Sequence, residues 1–175
     1  LVAKFNTIVT EGPSIDLGLS VEWASYNVGA SSPEECGIYY AWGEKSGSSE
    51  YSLKYYKYNS GRIEDDWKTL KKYCTNGYFG RVDCKTSLEN SDDVAEEEWG
   101  ASWRIPTNAE QEELCNNCTW VWTTYNGVNG YHITGPNGNS IFLPAAGYRY
   151  SSEKFNSGSC GRYWSRSLYC GNDDM

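Results

Sequence analysis

Apolar and polar residues alternate from Leu17 to Trp23, with Leu17, Leu19, Val21 and Trp23 on one side and Gly18, Ser20 and Glu22 on the other. This period of two predicts a half-buried strand. Asn27-Val28-Gly29 ends it, and Ser32-Pro33-Glu34-Glu35 has the cap residue and first-position proline of a single helical turn. The apolar and aromatic run from Ile38 to Trp42 predicts a short buried strand. Between Tyr51 and Tyr58, tyrosines are interleaved with Ser, Lys and Asn and little aliphatic content, which predicts a segment lying over the surface. Residues 59–91 are patterned less regularly, with a short helix expected around Trp67, Leu70 and Tyr73 and a Gly-bearing loop at Asn76 to Gly80.

The next segment carries helix signals. Ser91 or Asp92 can cap a helix from Asp93 to Trp99, whose acidic residues lie near the positive end of the dipole. Pro106 holds Ile105 extended, and Thr107 with Glu110 forms the capping-box pair of a second helix from Asn108 to about Asn116. Three strand-like runs follow, Thr119 to Tyr125, Tyr131 to Gly135 and Ser140 to Tyr148. They are separated by Asn126-Gly127-Val128-Asn129-Gly130 and Pro136-Asn137-Gly138-Asn139, which predicts an antiparallel meander. A polar loop from Ser151 to Ser159 leads to Arg162-Tyr163-Trp164-Ser165.

Composition narrows the class. With 175 residues and no linker-like stretch, the chain reads as one domain that buries roughly 70% of its unfolded surface. Hydrophobic residues make up only 39%, yet 8 Trp and 15 Tyr mean that large rings supply much of the core. The net charge of -8 argues against a nucleic-acid partner, which needs clustered Lys and Arg. Lys68, Lys71 and Lys72 sit beside Asp65 and Asp66 and read as a solvated helix face. No transmembrane run and no charged-then-apolar leader is present, and the start at Leu1 fits either a removed leader or a fragment. Seven cysteines leave at least one thiol free or paired between molecules.

Six ordered motifs carry a resemblance. They are Asp16-Leu17-Gly18-Leu19-Ser20-Val21-Glu22-Trp23-Ala24, Asn27-Val28-Gly29-Ala30, Tyr40-Ala41-Trp42-Gly43-Glu44, Trp103-Arg104-Ile105-Pro106-Thr107, Phe142-Leu143-Pro144-Ala145-Ala146-Gly147-Tyr148 and Tyr163-Trp164-Ser165. Over about Asp16 to Ser165 the chain resembles the Fibrobacter succinogenes major paralogous domain family, abundant in Bacteroidetes. The resemblance implies an α+β, C-type-lectin-like fold with two short helices, a twisted antiparallel sheet and much irregular loop. Residues 1–14 would be a lead-in and residues 15–175 the single domain, displayed extracellularly or at the cell surface. In the family, closing strands with an Arg- and Gly-rich ending follow the Tyr-Trp-Ser motif. Here residues 166–175 are too few to supply them: in a fragment an open sheet edge is expected, a site for pairing, and if Met175 is the true end something else must cover that edge.

Chemical candidates are sparse. Cys115-Asn116-Asn117-Cys118 has no second Cys pair at that spacing, and the end of a helix disfavours thiolate, so these read as structural cysteines. The lone His132 falls in a hairpin strand and reads as cross-strand packing. The doublets Asp65-Asp66, Asp92-Asp93 and Asp173-Asp174 offer calcium-type oxygens. The sugar-binding triplets of C-type lectins are absent, since Gly135-Pro136-Asn137 lacks the carboxylate. Cys160 and Cys170 are similar to the copper-binding pair of formylglycine-generating enzymes, but the Arg-Ala-Ala-Arg neighbourhood of those enzymes is missing. The expectation is therefore no catalytic residue, no metal and no cofactor.

A binding surface remains. Tyr148, Tyr150, Tyr163, Arg166, Tyr169 and Asn172 cluster where related variable proteins place ligand-contacting residues, and Tyr and Arg are enriched at binding hot spots. Trp164 is assigned to the core, and Arg166, Tyr169 and Asn172 to the exposed surface. The function expected is a non-catalytic recognition module for a protein or glycan ligand. The alternatives are a formylglycine-generating-type copper oxidase and a structural spacer of a larger surface protein.

Overall fold

Regular structure forms where local chemistry caps or pairs the backbone, and irregular chain joins the pieces. The computed structural model describes residues 3–4, 14–60 and 69–169. Helix α1 spans Val94–Trp99 and starts at Asp93, whose carboxylate accepts the Ala95 N–H at 3.0 Å. The expected cap at Ser91 or Asp92 thus lies one or two residues too early. Residues 90–92 form a separate 3-10 turn that leaves Asp93 extended, as a cap must be. Helix α2 spans Asn108–Asn117 and carries the expected capping box. The Thr107 hydroxyl accepts the Glu110 N–H at 3.3 Å, and the Glu110 carboxylate accepts the Thr107 N–H at 2.8 Å. Glu110 also grips the buried Arg104 guanidinium with both oxygens.

Strands β1 (Ala3–Lys4), β2 (Ser14–Ile15), β3 (Glu22–Ala24) and β4 (Trp103–Arg104) form a small antiparallel sheet in the order β2-β3-β1-β4. The meander is β5 (Thr119–Tyr125), β6 (Val128–Thr134) and β7 (Ser140–Pro144). Tyr125 pairs with Val128 across a two-residue turn. Asn126 at φ 46° and Gly127 at φ 82° give that turn the left-handed backbone that matches strand twist. A last hairpin pairs β8 (Tyr148–Tyr150) with β9 (Glu153–Phe155). The chain is therefore α+β, with few helices and small antiparallel sheets.

Two apolar clusters sit beneath these elements. Trp103, Ile105, Val94, Ala95 and Leu88 pack with the rings of Tyr58 and Tyr73. Leu17, Val21, Trp23 and Leu114 pack with Ile133, Ile141 and Leu143 of the meander. Aromatic rings bury a large area each, which offsets the modest aliphatic content.

Several expected elements take another form. The alternating face at residues 17–23 is buried as expected, but only Glu22–Ala24 is strand. Gly18 turns at φ 74° with its N–H on Asp16, and Glu113 takes the Ser20 N–H, so side chains replace the ladder. Residues 32–35 form one turn, closed by Glu35 N–H to Ser32 O at 3.2 Å. Tyr58, expected over the surface, is buried in the first cluster. Thr69 is in 3-10 conformation, but residues 70–73 are not helical: Leu70 bridges to Asn59 and Gly80, and Tyr73 has φ 56°. The candidates Trp67, Lys68, Asp65 and Asp66 lie outside the described residues. The run from Ser140 to Tyr148 splits into β7 and β8, because Pro144 lacks an N–H and Gly147, at φ 71°, turns toward Cys160 O. The expected polar loop at 151–159 contains β9.

Asp93 holds the two halves of the first cluster together. Besides capping α1, both of its oxygens accept the Ile105 N–H, at 3.1 and 3.0 Å, and burial pushes its carboxyl above the ordinary range. Asp93→Ala is expected to lower the unfolding free energy by about 3 kcal/mol, because two buried N–H groups lose their acceptor. Thr107→Ala should cost about 1 kcal/mol, the value of a single cap. Urea unfolding of both variants checks the ranking, and equal losses would remove Asp93 from its bridging role.

Candidate functional site

Residues 39–41 form no ladder and residues 42–43 lie in a turn, so their carbonyls need other donors. Aromatic side chains supply most of them. The Tyr51 hydroxyl donates to Tyr39 O at 2.5 Å, the Trp164 indole N–H to Tyr40 O at 2.8 Å, the Tyr56 hydroxyl to Trp42 O at 2.9 Å and the Tyr58 hydroxyl to Gly43 O at 3.1 Å. The Glu44 N–H caps Ala41 O at 3.0 Å. In return the Tyr39 hydroxyl donates to Ala146 O, and the Trp42 indole to Ser165 O at 2.7 Å. The buried strand expected from Ile38 to Trp42 is thus a ring-clamped irregular segment ending in a turn, and Ile38 is exposed.

This segment, β8 and residues 161–164 enclose a cleft of about 330 Å³. Tyr39, Tyr40, Tyr51, Tyr148, Tyr163 and Trp164 line its walls, and Val94 and Ile105 from the first cluster reach its floor. The Tyr163 hydroxyl is tied to Pro144 O at 2.6 Å, and burial pushes its phenol well above the ordinary range. Burial, with Glu98 nearby, pushes Tyr40 up to about 12. Burial likewise raises Tyr39. These rings stay neutral near physiological pH and present apolar surface with their polar ends held by backbone.

Charge enters through two guanidinium groups. Arg162 lies over the Tyr148 ring at 3.8 Å from its centroid, and Tyr148 stacks on Phe155 on a ring spacing of 5.6 Å. Arg149 lies 5.5 Å from the Tyr39 ring centroid, and the Lys154 ammonium 5.1 Å from it. Among the described residues neither arginine forms an ion pair. Glu44 is the one carboxylate of the lining, and it accepts the Lys57 N–H at 2.8 Å. The cleft is therefore locally basic on a chain of net charge -8.

The expected site residues divide. Tyr148 and Tyr163 meet in the cleft. Tyr150 and Tyr169 are exposed outside its lining, at 64% and 92% of full accessibility. Arg166 is half-buried and acts as a brace, contrary to its expected exposure: its guanidinium donates to Leu88 O at 2.7 Å and to Asn90 at 3.3 Å, and its N–H to Pro106 O at 2.8 Å. Asn172 lies outside the described residues, as do Cys170, Asp173 and Asp174. Trp164, expected in the core, is 52% exposed, because its indole N–H is anchored at the cleft rim on Tyr40 O. Tyr39, Tyr40, Tyr51, Arg149 and Arg162 were not legible as site residues, since their convergence depends on contacts across a hundred positions of sequence.

The other described candidates lie apart from the cleft lining, Cys36 excepted. Asp92 is buried under the Lys57 and Lys72 ammonium groups and accepts the Tyr73 hydroxyl at 2.6 Å. Lys72, expected on a solvated helix face, is this half-buried partner. Cys115 is exposed near the end of α2 and Cys118 follows it, with burial raising the Cys118 thiol. His132 pairs across β6 with Val121 and Phe142. Among the described residues no three of His, Cys, Asp and Glu gather around a point, and no helix is long and apolar enough to cross a membrane. Comparison with protein families, with curated proteins and with solved structures finds no match.

Burial opposes ionisation of Asp92, but Lys72, Tyr58, Tyr73 and Lys57 overcome it and hold the carboxyl below its ordinary value of 3.8. In acid the folded protein then binds fewer protons than the unfolded chain, so this stabilisation is complete above the ordinary value and is lost as pH falls through it toward the folded one. Asp92→Asn should lower stability at pH 7 by about 3 kcal/mol, and the deficit should shrink toward pH 2. Denaturant unfolding at several pH values measures this; a deficit independent of pH would contradict it.

Proposed function

We propose that the chain is a non-catalytic ligand-binding module, displayed outside the cell, that takes a glycan or a short protein segment into the cleft between residues 36–44, β8 and residues 161–164. The observation that carries this reading is the set of neutral rings, fixed by their polar ends, around about 330 Å³ of accessible space. That volume falls at the small end of ligand pockets. Rings that are already held cost little entropy when a ligand packs on them, as in aromatic-rich paratopes. Of the surface expected from sequence, Tyr148 and Tyr163 belong to this site. Membership of the Fibrobacter succinogenes major paralogous domain family, with its C-type-lectin-like fold and surface location, is part of the same proposal. It rests on the six ordered motifs, and the α+β architecture is compatible with it.

Tyr148 is the informative position, because it lines the cleft from a surface hairpin and clamps no backbone carbonyl. Titration calorimetry against a panel of neutral oligosaccharides, acidic oligosaccharides and short peptides should find a binder. Tyr148→Ala should weaken that binder about 30-fold while the thermal midpoint stays within a few degrees, the effect of a hot-spot ring. Wild-type affinity in the variant would move the site elsewhere, and silence across the panel would sink the reading.

A further inference from the structure

We infer that the cleft ligand is anionic, a saccharide residue whose carboxylate sits between Arg149 and Arg162. This rests on the binding reading above and adds the chemistry of the ligand. The chain has 23 Asp and Glu against 15 Lys and Arg, so carboxylate partners are plentiful. Lys45, Lys57, Lys72, Lys85 and Arg104 all have one. Arg149 and Arg162 have none among the described residues, and neither do Lys54, Lys71, Arg81, Lys154 and Arg166; what sets the two arginines apart is that both line the aromatic cleft. Each is instead laid against a ring, Arg162 over Tyr148 and Arg149 near Tyr39. Stacking orients a guanidinium plane while leaving its N–H edge free, which is the edge that binds a carboxylate bidentately. Lys154, also beside Tyr39, adds to the positive field at the same mouth.

The rest of the lining favours a saccharide over a side chain. The hydroxyls of Tyr39, Tyr51 and Tyr163 and the indole N–H of Trp164 are spent on backbone carbonyls, so these rings offer chiefly apolar surface. A sugar ring has a C–H face that packs on such surface and carries hydroxyls and a carboxylate at its edge. Glu44 is placed to accept from a sugar hydroxyl at the cleft wall. A flexible acidic side chain would meet the arginines but leave the aromatic walls largely uncovered.

The test uses the whole chain and pairs of oligosaccharides that differ only in the acid group, with uronate- and sialate-bearing members set against their neutral counterparts, and hexaglutamate as the peptide arm. At least one acidic saccharide should bind about tenfold or more tightly than its neutral counterpart, with affinity falling as salt rises. The double substitution Arg149→Gln with Arg162→Gln should erase that difference. Arg81→Gln, which removes an exposed charge outside the cleft lining, should leave it intact. Arg162→Lys keeps the charge but loses the fork, and should fall between. Equal binding of acidic and neutral saccharides overturns the inference and leaves the binding module standing. Hexaglutamate binding without saccharide binding overturns it in favour of an acidic peptide. Silence from every probe removes both readings.

Discussion

A carbonyl or N–H taken out of water must find a partner, and most of this chain has no ladder or helix to provide one. The structure depends on how that requirement is met at residues 39–43. There the donors are phenol and indole groups from residues 51–58 and from Trp164, so segments far apart in sequence are pinned to one irregular stretch. Asp93 answers the converse need for N–H groups, collecting those of Ala95 and Ile105 on one buried carboxylate. Burying that charge is costly, as its raised carboxyl value records, and the cost is tolerated because no other acceptor reaches both places.

The same economy explains why so many tyrosines fold into a chain with a modest aliphatic share. Each ring contributes apolar area to a cluster and a hydroxyl to a carbonyl, doing the work of a core residue and of a strand partner together. Tyr58 shows both roles, buried in the first cluster and bonded to Gly43 O. The cleft is a by-product of this construction. Rings that clamp from one side leave their other surfaces facing a space that aliphatic packing would have closed.

Legibility in the sequence follows the range of the interactions. The capping box at Thr107 and Glu110, the Asn-Gly turn and the meander were readable because each signal lies within a few residues of what it determines. The apolar face of residues 17–23 was readable as a buried face, while its strand was not, since Asp16 and Glu113 take the backbone groups that a neighbour strand would have paired. Arg166 and Trp164 were each placed on the wrong side of the surface. Both are decided by long-range hydrogen bonds, of Arg166 to Leu88 O, Asn90 and Pro106 O and of Trp164 to Tyr40 O, that no local pattern encodes. Tyr148 and Tyr163, singled out by residue type, line the cleft, whereas Tyr39, Tyr40 and the two arginines needed the fold to bring them there.

The clamps also divide the cleft into positions the fold cannot spare and positions it can. Replacing Tyr39, Tyr51, Tyr163 or Trp164 strands a backbone carbonyl, so those walls are bound to folding before any ligand is considered. Tyr148, Arg149 and Arg162 contribute ring and guanidinium contacts rather than clamps on a backbone carbonyl. The scaffold thus leaves three positions open to variation on a fixed aromatic wall, so under the binding reading proposed above ligand preference could change while the clamps stay in place.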